Sequence, residues 1–322
     1  MKSAILLSGN MRTWRLCLPI LEQQIIDKSD CDIFVTIDLD NSLQCENLNN
    51  NIRSNELEAL ELIQFIQPTT YMILDSNHIN MEPFIEEFKQ ADTKIKVLTT
   101  LYEIYEIYEN QNFANLQNNN GIITFDELYN KNLEVQDYTD INNGVFLSWK
   151  RRYRQYSVLS KCVELMNIYA NNNNITYSRV IRIRPDQFIN TKSTHKLFDD
   201  FIKTNNKIKF CNENIIKASI IKDIHIDLPI PLENDIYVFD CNYYKNLHIY
   251  TNDQFFITSY NNALLFIKFN DYINKKLTEI KKIYLPSDAA MEYMFSYFLK
   301  EYNFSIKCLN NLESYFIREL EL

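Results

Sequence analysis

Glycine is nearly missing from this chain: Gly9, Gly121 and Gly144 are the whole supply in 322 residues. Neither a G-x-G-x-x-G dinucleotide loop nor a Walker-type phosphate loop can be written with three scattered glycines, so Rossmann dehydrogenases and P-loop NTPases are excluded. Histidine is scarce too, and His78, His195, His225 and His248 show no metal-ligand spacing. The seven cysteines (17, 31, 45, 162, 211, 241 and 308) never form C-x-x-C. They spell neither a zinc site nor a disulfide framework, and reduced thiols are expected. There is no Ser/His/Asp arrangement and no G-x-S-x-G elbow, which disfavours acyl-enzyme hydrolysis.

Long apolar runs are absent as well. No stretch approaches a membrane span, and the apolar run Ala4-Ile5-Leu6-Leu7 is too short for a signal-peptide core. A cytoplasmic address is therefore expected, with the N-glycosylation sequons at Asn174 and Asn303 unused. Basic charge is in deficit: the net charge is -9, which argues against nucleic acid as a general partner because phosphate neutralisation needs a basic surface.

What is present describes a folded α/β chain. Hydrophobic residues make up 46% and charged residues 23%, the balance of a globular protein. Strand-length apolar runs at 3–7, 32–37, 70–74, 95–98, 179–183, 208–210 and 236–239 alternate with helix-like stretches at 13–27, 56–66, 82–90, 144–169, 261–280 and 288–301. That alternation predicts a mostly parallel central sheet flanked by helices. Residues 101–142 and 212–234 read as long excursions, and long loops in compact domains are often lids or binding loops. No Pro/Gly/Ser-rich linker or repeat divides the chain, so one domain is expected over 1–322. The oligomeric state is not written in the sequence.

Four segments carry residues suited to chemistry. In Ser8-Gly9-Asn10-Met11-Arg12 an apolar strand ends in a glycine and a cation before a helix begins near Trp14. That layout suits a loop whose backbone N–H groups meet a phosphate, and equally an ordinary strand-to-helix turn. In Arg179-Val180-Ile181-Arg182-Ile183-Arg184-Pro185-Asp186, Arg182 and Arg184 share one strand face. The two arginines either clamp phosphates or pair with acids, and Asp186 sits where a divalent cation bridging a diphosphate would be held. The alternative is an arginine–aspartate network that only supports the loop.

Upstream, Lys150-Arg151-Arg152-Tyr153-Arg154 lies on the longest helix. Lys150 either reaches phosphates or belongs to a solvated helix face, and Arg151, Arg152 and Arg154 read as that face. In Tyr250-Thr251-Asn252-Asp253-Gln254, Asp253 is a candidate base or acceptor-binding carboxylate, or an Asx turn. Near the end, Pro286-Ser287-Asp288 marks a helix start and Glu292 is a further candidate carboxylate in the helix body. Asp38-Leu39-Asp40 spells D-x-D, but so early in the chain it suits a nucleoside contact by Asp38 and not a metal.

In this order, S-G-x-x-R-T after the first strand, the basic helix, V-I-R-x-R-P-D, N-D-Q-F and a final P-x-x-x-x-x-E helix, the chain resembles a glycosyltransferase family of giant viruses, algae and bacteria. The likeness covers 3–37, 144–190 and 236–308. It implies the nucleotide-diphospho-sugar transferase (GT-A) fold, with a nucleotide-sugar-binding half at 1–190 and an acceptor half at 191–322. The implied partners are a nucleotide-sugar donor and a glycan or other hydroxyl acceptor, in the host cytoplasm if the chain is viral. By position, Ser8, Gly9 and Arg12 would line the donor pocket, and Lys150 and Arg184 would approach the diphosphate. Asp186 would hold Mn²⁺ or Mg²⁺, and Asp253 would be the base of an inverting transfer. The chain departs from better-known members in placing arginine at 184, where an aspartate of the D-x-D motif is expected. That departure keeps open a catalytically inactive binding or assembly module. A nucleotidyltransferase on the related fold is disfavoured by the lack of a glycine-rich loop.

Overall fold

The computed structural model describes residues 2–9, 11, 14–26, 30–39, 56–75, 78–83, 96–97, 136–137, 144–191, 226, 228–239, 241–244, 247–251, 254–279, 290–309 and 312–316. The expected strand at 208–210 and nearly all of the 101–142 excursion lie outside them, as does most of the helix expected at 82–90.

The strands are β1 (Ser3–Gly9), β2 (Cys31–Asp38), β3 (Thr70–Leu74), β4 (Lys96–Val97), β5 (Gln136–Asp137), β6 (Arg179–Ile183), β7 (Gln187–Thr191), β8 (Asp235–Val238), β9 (Cys241–Tyr244), β10 (Leu247–Thr251), β11 (Phe256–Thr258), β12 (Ser305–Cys308) and β13 (Leu312–Phe316). The helices are α1 (Trp14–Gln24), α2 (Glu56–Ile66), α3 (Gly144–Asn173), α4 (Tyr260–Leu265), α5 (Phe269–Glu279) and α6 (Ala290–Glu301). The helix expected over 261–280 is broken by a tighter 3-10 turn at Phe266–Lys268.

A seven-stranded sheet runs in the order β12-β8-β11-β6-β1-β2-β3. The pairs β1/β2, β1/β6, β2/β3 and β8/β12 are parallel, while β11 is antiparallel to both β6 and β8. Six strands therefore point one way and one is reversed. The sheet draws strands from both the 1–190 and the 191–322 segments.

β1 and β2 are buried along nearly their whole length because both sheet faces are covered, as in parallel sheets. Ile5, Leu7, Ile33, Val35 and Ile181 pack with Leu18, Leu21 and Leu62, which places α1 and α2 on one face. Ala4, Leu6, Phe34, Val180 and Phe256 pack with Leu159, Val163, Phe266, Ile273 and Phe298, which places α3 to α6 on the other.

Local chemistry sets the helix limits. α2 opens with Glu56 and Glu58 against its own dipole and buries Ala59, Leu62 and Ile66, an i, i+3, i+7 stripe. It stops at Gln67, which takes φ 51°, ahead of Pro68. α3 ends in a Schellman motif: Asn174 at φ 53° turns the chain, and the Ile175 and Asn174 N–H groups donate back to the Ala170 and Asn171 carbonyls. α6 ends the same way through Asn303 at φ 57°. Both sequon asparagines thus have a conformational role as helix stops.

Among the described residues no helix is long and apolar enough to cross a membrane. Cys17, Cys31 and Cys162 are thiols outside any disulfide. Cys308 is disulfide-bonded, a correction to the expected reduced thiols.

Candidate functional site

The strand order on one side of the sheet, β3-β2-β1-β6, repeats the outward winding of doubly wound folds. Successive strands step one way from β1 and the chain then crosses to its other side. Ligands of such sheets sit outside the carboxyl ends of the strands at that reversal, here between β1 and β6. Gly9 ends β1 and Arg184 follows β6, and the two residues meet at this point. A Cβ built on Gly9 would lie 3.7 Å from the Arg184 Cγ, which is ordinary contact. Glycine is needed at 9 for its φ of +131°, a conformation L side chains rarely adopt.

Arg184 is held from three directions. Its Nε and Nη2 donate to the Asp186 carboxylate at 2.9 and 2.8 Å, a forked pair, and its Nη1 donates to Gln155 Oε1 of α3 at 3.3 Å. Its backbone N–H donates to Gln187 Oε1, and the Gln187 N–H returns to the Arg184 carbonyl, closing the turn that carries Pro185 and Asp186. Asp186 is 1% exposed. Removing one partner of a buried pair of this kind costs about 3–5 kcal/mol, because the other charge stays buried.

One strand over, Asp38 ends β2 and accepts from Arg154 Nε and Nη2 at 2.7 and 2.6 Å. Arg154 was expected on a solvated helix face. It is instead buried and fastens α3 to the strand end. Direction follows from the contacts: residue 154 sits at the end of β2, while the Cys162 thiol, two turns later, donates to the Phe34 carbonyl in mid-strand. α3 therefore runs antiparallel to β2. The ten residues before Arg154, starting at Gly144, carry about 15 Å of helix past the sheet edge. The backbone of Lys150 lies on that overhang.

Arg182 is not brought to the edge. It is fully buried within β6, paired in register with Leu6 and Phe256, and it lies close to Cys162. Burial pushes the Cys162 thiol up to about 12, against the opposing pull of a Thr36 hydrogen bond and the Arg182 charge, so it is not a thiolate nucleophile. Arg12 and Asp253 lie outside the described residues, and Lys150 and Glu292 are placed by their backbone alone. The residues brought together are thus Ser8, Gly9, Asp38, Arg184 and Asp186. Arg154, Gln155 and Gln187 join them without having been singled out by sequence. Arg154 carried one usable signal, its i+4 spacing from Lys150; Gln155 and Gln187 carried none.

The donors and acceptors at this edge are unequally used. The two oxygens of Asp186 and the two of Asp38 accept from guanidinium groups, and the amide oxygens of Gln187 and Gln155 accept from Arg184. The Ser8 hydroxyl, 1% exposed, and the Gln187 amide nitrogen, 0% exposed, have no hydrogen-bond partner. Gln187 is oriented unambiguously, since only its oxygen can accept from a backbone N–H. A divalent cation needs free oxygen ligands. Among the described residues the two edge carboxylates Asp38 and Asp186 are each engaged by a guanidinium, and no group of three or more His, Cys, Asp or Glu side chains converges. Compared with protein families, curated proteins and solved structures, the chain matches none.

Proposed function

We propose that this chain is a GT-A-like glycosyltransferase that binds a nucleotide sugar outside the carboxyl ends of β1 and β6 and passes the sugar to a hydroxyl acceptor, a glycan or glycoconjugate. The meeting of Gly9 and Arg184 at the strand-order reversal carries this reading. It puts a close backbone approach and a guanidinium where a pyrophosphate is held in doubly wound sheets. The single reversed strand, β11, in an otherwise parallel sheet supports the GT-A assignment over a plain Rossmann arrangement.

In the reaction the acceptor oxygen bonds to the anomeric carbon as the bond from that carbon to the diphosphate breaks. The acceptor proton passes to a base, for which the family resemblance offers Asp253. Most of the acceleration would come from holding the two reactants together and from stabilising the departing diphosphate. A nucleotide panel read by thermal shift tests the binding step. A ligand at about a hundred times its Kd stabilises by about 2.7 kcal/mol. Over 322 residues that is a rise in Tm of about 4 °C. Failure of every nucleoside diphosphate and nucleotide sugar to move Tm, with and without Mn²⁺, sinks the reading.

One observation favours a second reading, a non-catalytic binding module: the edge acids Asp38 and Asp186 are engaged by arginines. It predicts nucleotide binding without sugar release or transfer on any acceptor, and Asp253→Ala without effect.

A further inference from the structure

We infer that the carboxyl-edge site between β1 and β6 recognises its diphosphate through Arg184, Ser8 and Gln187 without a divalent cation, and that Asp186 is the positioning residue of Arg184 instead of a metal ligand. For the identity of the ligand this rests on the donor reading above; for the chemistry it rests on which hydrogen-bonding groups the edge leaves over.

The described carboxylate and amide oxygens there already accept hydrogen bonds from the protein. Asp186 accepts from two nitrogens of one guanidinium, Asp38 from two nitrogens of another, and the Gln187 oxygen from the Arg184 backbone. What remains unpartnered is donor-rich: the Gln187 amide nitrogen and the Ser8 hydroxyl, both almost wholly buried. Buried donors without acceptors are unfavourable unless something arrives to accept from them. A phosphate supplies acceptor oxygens alone, whereas a cation supplies none.

Both groups are tied to Arg184 by geometry. Ser8 precedes the glycine that packs on the Arg184 side chain, and Gln187 is hydrogen-bonded to the Arg184 backbone in both directions. Of the three described Arg184 side-chain bonds the longest is the 3.3 Å one to the neutral Gln155 oxygen. An anionic oxygen replaces that partner with a charge-assisted bond and leaves the Asp186 fork intact. The sequence carries the same substitution of roles: arginine at 184 stands where the resemblance expects an aspartate. The Asp186 carboxylate then aims a cation that the protein itself supplies.

The test is calorimetric titration of the full chain with inorganic pyrophosphate and with UDP, GDP and dTDP, each in EDTA and in Mn²⁺. Manganese binding is measured separately by electron paramagnetic resonance. The expected result is pyrophosphate binding in EDTA with a Kd within about twofold of that in Mn²⁺, weakened about tenfold or more by Arg184→Lys, which keeps the charge and loses the fork. Gln187→Leu, which removes the amide donor, is expected to weaken it by a smaller factor. Pyrophosphate that binds only with Mn²⁺, or a tight Mn²⁺ signal lost in Asp186→Asn, overturns the inference, as does no pyrophosphate binding in EDTA. The wild-type arms need no variant to fold. Pyrophosphate binding in EDTA with no nucleotide binding under any condition would retain this inference and remove the donor reading.

Discussion

Asp38→Leu offers the sharpest test of how the site edge is built. The substitution removes the carboxylate that accepts two hydrogen bonds from Arg154, at 2.7 and 2.6 Å, and leaves that guanidinium buried where α3 crosses the end of β2. Breaking a buried pair from one side costs about 3–5 kcal/mol. At about 2.1 cal/mol/K per residue, 322 residues give an unfolding entropy of about 0.7 kcal/mol/K, so Tm falls by about 4–7 °C. Replacing both partners, Asp38→Leu with Arg154→Met, removes the uncompensated charge. Well-packed apolar substitutes for buried pairs are often neutral or better, so the double variant is expected to recover most of the loss. Calorimetry and urea unfolding of the wild type, two single variants and the double variant close the cycle. A single-variant loss below about 1 kcal/mol, the range of solvent-exposed pairs, would refute the claim that this pair is a desolvated anchor of α3.

Other perturbations have equally definite outcomes. Gly9→Ala forces a side chain into φ +131° and is expected to lose about 1–3 kcal/mol; an unchanged Tm would contradict the strained turn. Ser8→Ala removes a buried hydroxyl that has no partner, so the ligand-free protein is expected to gain up to about 1–3 kcal/mol while nucleotide binding weakens, and a fall in ligand-free Tm would count against it. For Asp235, burial pushes the carboxyl up, but the Lys307 ammonium and the Leu232 N–H outweigh it and leave its titration below the ordinary 3.8. A depressed carboxylate stabilises fully above its unfolded value and loses that contribution as pH falls through the folded one. Asp235→Asn should therefore flatten the acid-unfolding limb below about pH 4, as followed by circular dichroism, and an unaltered limb would be contrary. Alkylation of the folded, unreduced protein followed by mass spectrometry should leave Cys308 unmodified.

The parts of the fold legible in the sequence are those whose burial leaves a long pattern. The strand at Thr70–Leu74, the strand at Arg179–Ile183 and the helix at Glu56–Ile66 fall at the expected bounds. β1 and β2 extend only one or two residues beyond theirs, since strands covered on both faces keep a dense apolar stretch, Ala4–Leu7 and Ile33–Val35. β12 reads Ser-Ile-Lys-Cys at a sheet edge, and among the described residues β7 and β13 pair with each other outside the main sheet. Segments so short or so mixed carry no period to detect.

The site was legible where residues are close in number, as with Ser8 and Gly9 or Arg184 and Asp186. It was illegible where the partner comes from elsewhere in the chain. Arg154 looks solvated on a helical wheel, because the acid that buries it lies 116 residues away at the end of another strand. For Asp186 the sequence leaves two readings open, a metal ligand and a partner of the neighbouring arginines, and the fork from Arg184 is a contact that spacing alone does not single out.

The central claim is that the pyrophosphate of a nucleotide sits against Gly9 and Arg184 at the β1–β6 edge. A crystal structure with UDP or the best ligand from the thermal-shift panel tests it most directly. Phosphate density is expected within hydrogen-bonding reach of Arg184 Nη1, Ser8 Oγ and Gln187 Nε2. Density at any other edge or face of the sheet, with the Arg184–Gln155 contact undisturbed, would contradict it.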